Sequence, residues 1–410
     1  MQVLLSSIGS RGDVQPLIAL ALELRALGCR ARLCVAPNYQ AWVESYGLEF
    51  YPVGPDLRKL PAASGAARPA PPTPEQLQQM AVLAVRGQFQ EIAAAAQGCD
   101  LLLAAGALQF AARSLAEARR LPYVFAAYTP AVLPSPAYPP PKTGGSHPFT
   151  LPEAENLRLW EENAAEFNRR FGAALNEERA KLGLEPAAGV RDHIFTARPW
   201  LAADPVLAPA QPPAGMEVVQ TGAWLLPDPA PLPPALEDFL AAGPPPLYLG
   251  LGSTQAPEAA GRVLVQAARA LGCRALLSQG WANLTPGESG EDVFTTGDVD
   301  FEKLLPRVAA VVHHGGAGTT TAAARAGRPQ VVLPHLYDQF YWAHRVGQLG
   351  LGAAAPGRDE LSVERLVAAL RQALQPPVKA RARALAARME PHGARRAAEM
   401  VVRYGVGAPR

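Results

Sequence analysis

The chain has 410 residues, enough for two domains of ordinary size, and 49% of them are hydrophobic against 18% charged, which excludes a disordered protein. A net charge of +2 without a dense Lys/Arg run leaves no footprint for nucleic acid as a partner. No apolar run reaches the 18 or so residues of a transmembrane helix, so weak peripheral membrane contact is the most to expect. The four cysteines, Cys29, Cys34, Cys99 and Cys273, form no CxxC pair and read as reduced core residues of a cytoplasmic protein. The stretch MQVLLSSIGSRGD starts a strand at once, with neither a basic segment nor a long apolar one, so no signal peptide is expected. Lysines are few, prolines number 42, and the bias fits a GC-rich bacterial source.

In chain order, Gln2 to Ile8 reads as a buried strand, followed by the loop GSRGDVQP, Gly9 to Pro16. Leu17, Ile18, Leu20, Ala21, Leu24 and Leu27 then mark one helical face that Gly28 stops. Cys29 to Val35 is the next strand, and this β-loop-α-β opening predicts a doubly wound parallel sheet. Asp13 lies between the strand exit and a helix expected to begin near Pro16. It is either an N-terminal cap or a general base. A Pro/Ala/Gly-rich loop, Pro52 to Pro74, precedes a long helix over Glu75 to Ala96. A strand at Asp100 to Ala105, a helix at Ala107 to Arg120 and a strand at Tyr123 to Ala127 follow. Thr129 to Phe149 carries seven prolines and almost no charge. With Thr129, Tyr138 and Phe149 it reads as a stiff wall for an apolar, ring-shaped acceptor, although packing on the helix Leu151 to Leu182 explains the same residues.

The proline-crowded segment Pro199 to Pro246 predicts a domain boundary near Pro209 to Gly215. Residues 1–209 form the first expected domain, 210–390 the second, and 391–410 a helix returning to the first. In the second, strands are expected at Leu247 to Leu251, Arg274 to Ser278, Val293 to Thr296, Val308 to Val312 and Gln330 to Leu333. Pro257 to Leu271 reads as a helix, and Ser362 to Val402 as one Arg/Ala-rich helical pattern.

The most informative stretch is VAAVVHHGGAGTTTAAARAG, Val308 to Gly327. A β-branched strand turns through His313, His314, Gly315, Gly316, Ala317 and Gly318 into Thr319, Thr320 and a helix. The glycines admit a ligand to the backbone, and the free N–H groups of the first helical turn favour an anion. The spacing matches neither a P-loop nor a Rossmann fingerprint. Adjacent residues on a strand face opposite sides, so one histidine at most reaches the cleft, and no cysteine or acidic neighbour supports a zinc site.

GSRGDVQP, LGST (Leu251 to Thr254), HHGGAGTT (His313 to Thr320) and LYDQ (Leu336 to Gln339) occur in that order. With them the chain resembles the family 1 glycosyltransferases, especially the branch of sterol glucosyltransferases and of transferases that decorate antibiotic aglycones. The resemblance implies a GT-B fold, α/β with two Rossmann-like domains facing across a cleft, the first binding the acceptor and the second a UDP- or dTDP-sugar. It implies inverting transfer of a hexose to a small apolar acceptor (sterol, phenolic or polyketide-like), with neither metal nor cofactor, by a monomer or weak dimer. Asp13 looks like the family's base, and His313 like the histidine on the diphosphate, with Gly316, Gly318, Thr319 and Ser253 as further donors. Asp338 and Gln339 resemble the pair that holds sugar hydroxyls, and Trp281 and Val299 sit where relatives contact the base. His314 is expected to pack. Relatives often carry Pro-His where this chain has Asp300-Phe301, which leaves uridine and thymidine donors both open. A nucleotide-sugar epimerase of the same fold would need no acceptor wall. A non-catalytic partner of another transferase would be expected to have lost HHGGAGTT or Asp13.

Overall fold

The computed structural model describes residues 1–56, 73–142, 145–228, 230–252, 259–281, 284–354 and 361–407. In the N-terminal half, seven strands pair: β1 (Gln2–Ser7), β2 (Arg30–Val35), β3 (Glu49–Pro52), β4 (Leu101–Ala105), β5 (Tyr123–Ala127), β6 (Trp200–Leu201) and β7 (Val219–Gln220). Their order is β3-β2-β1-β4-β5-β6-β7 and every pairing is parallel. The C-terminal half holds β8 (Leu247–Gly250), β9 (Ala275–Ser278), β10 (Val293–Thr296), β11 (Ala310–His313), β12 (Gln330–Val332) and β13 (Gly352–Ala354). They form a second all-parallel sheet in the order β10-β9-β8-β11-β12-β13.

Helices cover both faces of each sheet, which is why the strands read as continuous apolar runs rather than alternating ones. Leu4, Leu102, Ala104 and Phe125 enter one N-terminal core, and Val3, Leu5, Leu101, Leu103 and Val124 the core on the opposite face. In the second sheet, Leu247, Leu249, Leu277 and Val312 face one layer, and Tyr248, Leu276 and Val311 the other. Strand order reverses between β1 and β4, and again between β8 and β11. The crevices at the carboxyl ends of those pairs are where open α/β sheets take ligands.

The division at residue 209 does not hold. Thr221 N–H donates to Leu201 O at 3.0 Å, β7 extends the N-terminal sheet, and Trp224 and Leu226 pack in its core. Proline-rich sequence hides this, because two-residue edge strands tolerate flanking prolines. The N-terminal unit therefore reaches at least Leu226. The run Ser362 to Val402 is three helices, Val363–Ala373, Pro376–Ala386 and Gly393–Gly407, the second opened by Pro376 and Pro377. The last lies on the helix Arg11–Ala26: Ala394, Ala397, Ala398 and Val401 share a core with Leu17, Leu20, Ala21 and Leu24.

This docking depends on bare backbone. A Cβ on Gly393 would stand 2.5 Å from the carbonyl of Ala223 and from the carbonyl carbon of Gly222. Gly393→Val should therefore overpack the seam and cost roughly 1–3 kcal/mol. Calorimetric melting should show a fall of several degrees; an unchanged transition would mean the helix end is free to move away.

Candidate active site

The strand β1 leaves through Ile8–Ser10 into the helix Arg11–Ala26, which begins five residues earlier than its sequence suggests and carries Pro16 inside it. Ser10 is the N-cap, so Asp13 occupies the third helical position. Ser10 donates to Asp13 Oδ2 twice, from its backbone N–H (2.7 Å) and its hydroxyl (3.2 Å). The capping and general-base roles are thus compatible, because the cap bonds use only one carboxylate oxygen. Oδ1 is directed at the Gly106 turn that ends β4, where an added Cβ would lie 4.0 Å away. Gly9 leaves room for the carboxylate: a Cβ there would meet Oδ2 at 2.2 Å. Tyr128 Oη–H donates to the Asp13 carbonyl at 3.0 Å. Burial raises the Asp13 pKa from 3.8 to about 6, against the lowering effect of the two Ser10 bonds.

At the second crevice, β11 ends in the paired histidines. His313 is fully buried. Gly315 N–H donates to its Nδ1 (3.1 Å), which fixes the tautomer, so Nε2–H donates to Gln330 Oε1 on the neighbouring strand (2.8 Å). Both ring nitrogens are taken, and His313 cannot be the diphosphate contact expected of it. His314 faces the other way. Its ring lies between two glycine turns: a Cβ on Gly252 would stand 2.5 Å from its Cε1, and one on Gly316 2.5 Å from its Nε2. Its Nδ1 is buried without a partner. Burial lowers its pKa to about 3, helped by His313 and His335, so the ring is neutral at pH 7. Successive strand residues face opposite sides, and His314 is the one turned toward the Gly252 and Gly316 turns.

The turn enters the helix Ala317–Arg325 with Gly316 as N-cap. The N–H groups of Ala317, Gly318 and Thr319 belong to the first turn and have no intrahelical acceptor. The hydroxyls of Thr320 and Thr321 bond back to the carbonyls of Gly316 and Ala317. Thr319 keeps its hydroxyl, and Gly318 is exposed with nothing within 4 Å of an added Cβ. The result is a cradle of neutral donors at a helix N-terminus, suited to phosphate oxygens. Ser253 lies outside the described residues.

Beyond β12 the chain turns through His335, Leu336, Tyr337 and Asp338 into the helix Gln339–Gln348. Gln339 is buried, and its Oε1 accepts from the N–H groups of His335 (2.7 Å) and Leu336 (3.1 Å). Its carbonyl shapes the loop and is not free for a sugar hydroxyl. Asp338 stands at the N-cap position without a side-chain capping bond, and its carboxylate accepts from Trp342 Nε1–H at 3.1 Å. Burial raises its pKa from 3.8 to about 7, and the charge of Asp13 adds to the rise. The two carboxylates, one from each half, are thus near enough for the charge of one to act on the other.

Cross-cleft contacts hold that arrangement. Arg11 pairs with Asp298 and lies 4.7 Å over the Trp42 ring. Trp281, whose N–H donates to Gly252 O (3.0 Å), packs against the N-terminal core, while half-buried Val299 packs within its own half. The expected acceptor wall is instead part of this interface. Tyr138 is buried edge-on to Tyr341 (5.2 Å between centroids), its hydroxyl on Pro130 O, and Phe149 stacks on His344 at 4.6 Å. Thr129 is buried, its hydroxyl accepting from Ala131 N–H. Trp160 Nε1–H donates to Tyr138 O, which anchors the loop to the helix Glu153–Lys181. The packing explanation therefore fits Thr129, Tyr138 and Phe149, and none of the three is free to meet an acceptor. The residue that sequence reasoning missed is Tyr337, with a φ of 55° that composition does not announce.

The histidine geometry predicts a clean split. His314→Ala should weaken diphosphate binding about tenfold, a loss of roughly one charge-assisted hydrogen bond, with little change in melting. His313→Ala should leave Gln330 and the Gly315 N–H unpaired in the core and cost about 1–3 kcal/mol per group. Titration calorimetry with a nucleoside diphosphate, alongside melting curves, separates the two; equal loss of affinity in both variants contradicts the assignment.

The comparisons agree with this geometry. The family model for the glycosyltransferase family 28 N-terminal domain matches residues 3–133, and that for the erythromycin biosynthesis protein CIII-like C-terminal domain matches 287–402. The chain is 45% identical over 404 residues to the vancomycin aglycone glucosyltransferase of Amycolatopsis orientalis, covering 98% of this chain and 97% of that one. It is 40% identical over 390 residues to the dTDP-epi-vancosaminyltransferase of the same organism, covering 93% and 92%. Among solved structures, the glycosyltransferase VinC in complex with dTDP superposes with a TM-score of 0.66 at 23% identity, covering 99% of this chain and all of the other. Two Rossmann-like parallel-sheet domains, together with these likenesses, make this chain a member of the GT-B glycosyltransferases related to the antibiotic-aglycone and sterol enzymes.

Proposed function

We propose that this glycosyltransferase moves a hexose from a nucleotide-diphosphate sugar, UDP-glucose or a dTDP-sugar, to a hydroxyl of a small apolar aglycone, with inversion and without a metal. The observation that carries this reading is the position of Asp13: a carboxylate with a pKa raised to about 6, one oxygen free, opposite an anion cradle. The aglycone class comes from the relative that glucosylates vancomycin aglycone, and the dTDP alternative from the dTDP-epi-vancosaminyltransferase.

The chemistry is a single displacement. The acceptor hydroxyl gives its proton to Asp13 Oδ1 as its oxygen bonds to the anomeric carbon. The bond from that carbon to the diphosphate oxygen breaks, and the leaving group keeps the electron pair. Attack from the Asp13 side with departure toward the cradle inverts the anomeric centre. The leaving diphosphate gains charge, and the N–H groups of Ala317, Gly318 and Thr319, the Thr319 hydroxyl and the His314 ring are aimed where that charge grows. Asp338 is placed to read sugar hydroxyls; Gln339 supports it by holding the loop.

Two experiments test this. Asp13→Asn should lower kcat by about 10²–10⁴, the worth of a general base, while nucleotide affinity holds. Only the ionised carboxylate accepts the proton, so wild-type kcat/KM should rise with pH through about 6 and then level, and the variant should lose that limb. The stability sign is opposite. A folded pKa above the ordinary 3.8 makes the charge a cost that grows between pH 4 and 6 and is complete above. At pH 7.5 the variant should therefore melt no lower than wild type, with a gain of at most about 3 kcal/mol. Near-normal turnover in the folded variant would remove Asp13 from the mechanism. Secondly, transfer should survive a chelator, because neutral donors meet the diphosphate; loss restored by magnesium or manganese contradicts the metal-free step.

A further inference from the structure

With Thr129, Tyr138 and Phe149 committed to the interface, the acceptor needs another surface. Whatever it is, it lies near Asp13, because the attacking hydroxyl must reach that carboxylate. The loop His335–Asp338 runs there. At its start, His335 bears electrostatically on His314 in the phosphate cradle. At its end the chain enters the helix Gln339–Gln348, whose Tyr341 meets Tyr138 beyond the exit of β5, and Tyr128 at that same exit donates to the Asp13 carbonyl. The loop therefore runs from the anion cradle toward the β5 exit that holds Asp13.

Two large apolar side chains stand exposed on it. Leu336 is 46% and Tyr337 38% solvent-accessible, and among the described residues Tyr404 is the one other exposed aromatic. Tyr337 also holds a left-handed backbone, φ 55°, one of three non-glycine residues that do so among those described. A bulky residue there costs conformational energy and persists only where its surroundings impose it. Gln339 imposes it, by taking the N–H groups of His335 and Leu336 and so closing the turn ahead of Tyr337. Burial of the Tyr337 hydroxyl end, with smaller contributions from the charges of Asp338 and Asp13, pushes its pKa to about 12, so it stays a neutral hydrogen-bond donor.

We propose that Leu336 and Tyr337 form the C-terminal half's share of the acceptor surface, with the Tyr337 ring lying against a ring of the aglycone and positioning its hydroxyl for Asp13. This deepens the function proposed above and rests on it. An exposed aromatic at low conformational cost, with a polar tip, is the side chain that binds flat ligands best. Tyr337 would position the acceptor and take no part in bond breaking. It also lies on the half that holds the donor, so donor binding and acceptor binding would share one braced loop.

The test uses Tyr337→Gly and Tyr337→Phe in the full chain. Glycine relieves the left-handed backbone, so Tyr337→Gly should melt no lower than wild type and failure to fold is not an escape. Vancomycin aglycone is the probe: its equilibrium binding, followed by protein fluorescence with dTDP present, and its glycosylation with dTDP- and UDP-glucose are measured together. Tyr337→Gly should weaken aglycone binding and raise its KM about tenfold, the worth of one aromatic contact. Tyr337→Phe should stay within about twofold. The affinity for dTDP and donor hydrolysis to water should not move. Unchanged aglycone binding in Tyr337→Gly overturns the proposal, as does loss of dTDP affinity in parallel, or a wild type that does not bind the aglycone. A wild type that binds the aglycone through Tyr337 but transfers no sugar would instead refute the transfer reading and leave the contact standing.

Discussion

The cleft has to accept a diphosphate carrying negative charge into a space already shared by two carboxylates, with both histidines of the cradle neutral. Every other feature of the site answers that constraint. Asp13 and Asp338 hold their protons to higher pH than exposed carboxylates do, chiefly through burial, and in Asp338 partly through the charge of Asp13. The compensating positive potential comes from the start of the helix Ala317–Arg325 and from N–H groups that have nowhere else to bond. A lysine in their place would attract the donor more strongly. It would also hold a departing diphosphate and lower the pKa of Asp13. A cradle of neutral donors favours charge that develops late, during bond breaking, over charge already present.

The chemistry of the site was legible in the sequence where it is local. GSRGDVQP and HHGGAGTT are each one strand exit, one turn and one helix start, and glycines there have a backbone reason to exist. The role of each histidine was not legible. Parity says that His313 and His314 face opposite sides, but which side is the core depends on Gln330, a residue on the next strand that takes the His313 ring. Nor could Gln339 be separated from Asp338 by pattern, because its carbonyl is used by its own loop. The fold followed the same rule. Long apolar strands were placed within a residue or two, whereas β6 and β7, two residues each among prolines, carry no periodicity at all.

The loop Thr129–Phe149 shows how an apolar surface can point to two opposite conclusions. An uncharged proline-rich loop at a strand exit is a ligand wall if the opposite surface is solvent, and an interface if it is protein. Here the opposite surface is the helix Gln339–Gln348, whose Tyr341 and His344 meet Tyr138 and Phe149. No local signal could distinguish the cases, since Tyr341 and His344 lie some two hundred residues further along the chain.

That same interface makes the halves one body around the site. A single buried core runs from Leu102 and Phe125 of the first sheet through Tyr138 to Trp342, Val346 and Leu385 of the second half. Arg345 donates twice to Leu207 O, and Glu390 N–H to Asp204 Oδ2 at 2.7 Å. These contacts all lie on the side of the cleft where the helix Gln339–Gln348 is rooted. Its N-terminal residue cap is Asp338, and the preceding turn carries Tyr337. A helix fixed by packing along its length projects its first turn with little freedom, so the loop opposite Asp13 is positioned by the interface itself. Elsewhere the halves meet through Arg11 on Asp298, an ion pair open to solvent and weak by nature, and through Trp281, which packs against the N-terminal core. The packing thus gives the cleft one braced side, from which the turn carrying Tyr337 and Asp338 projects.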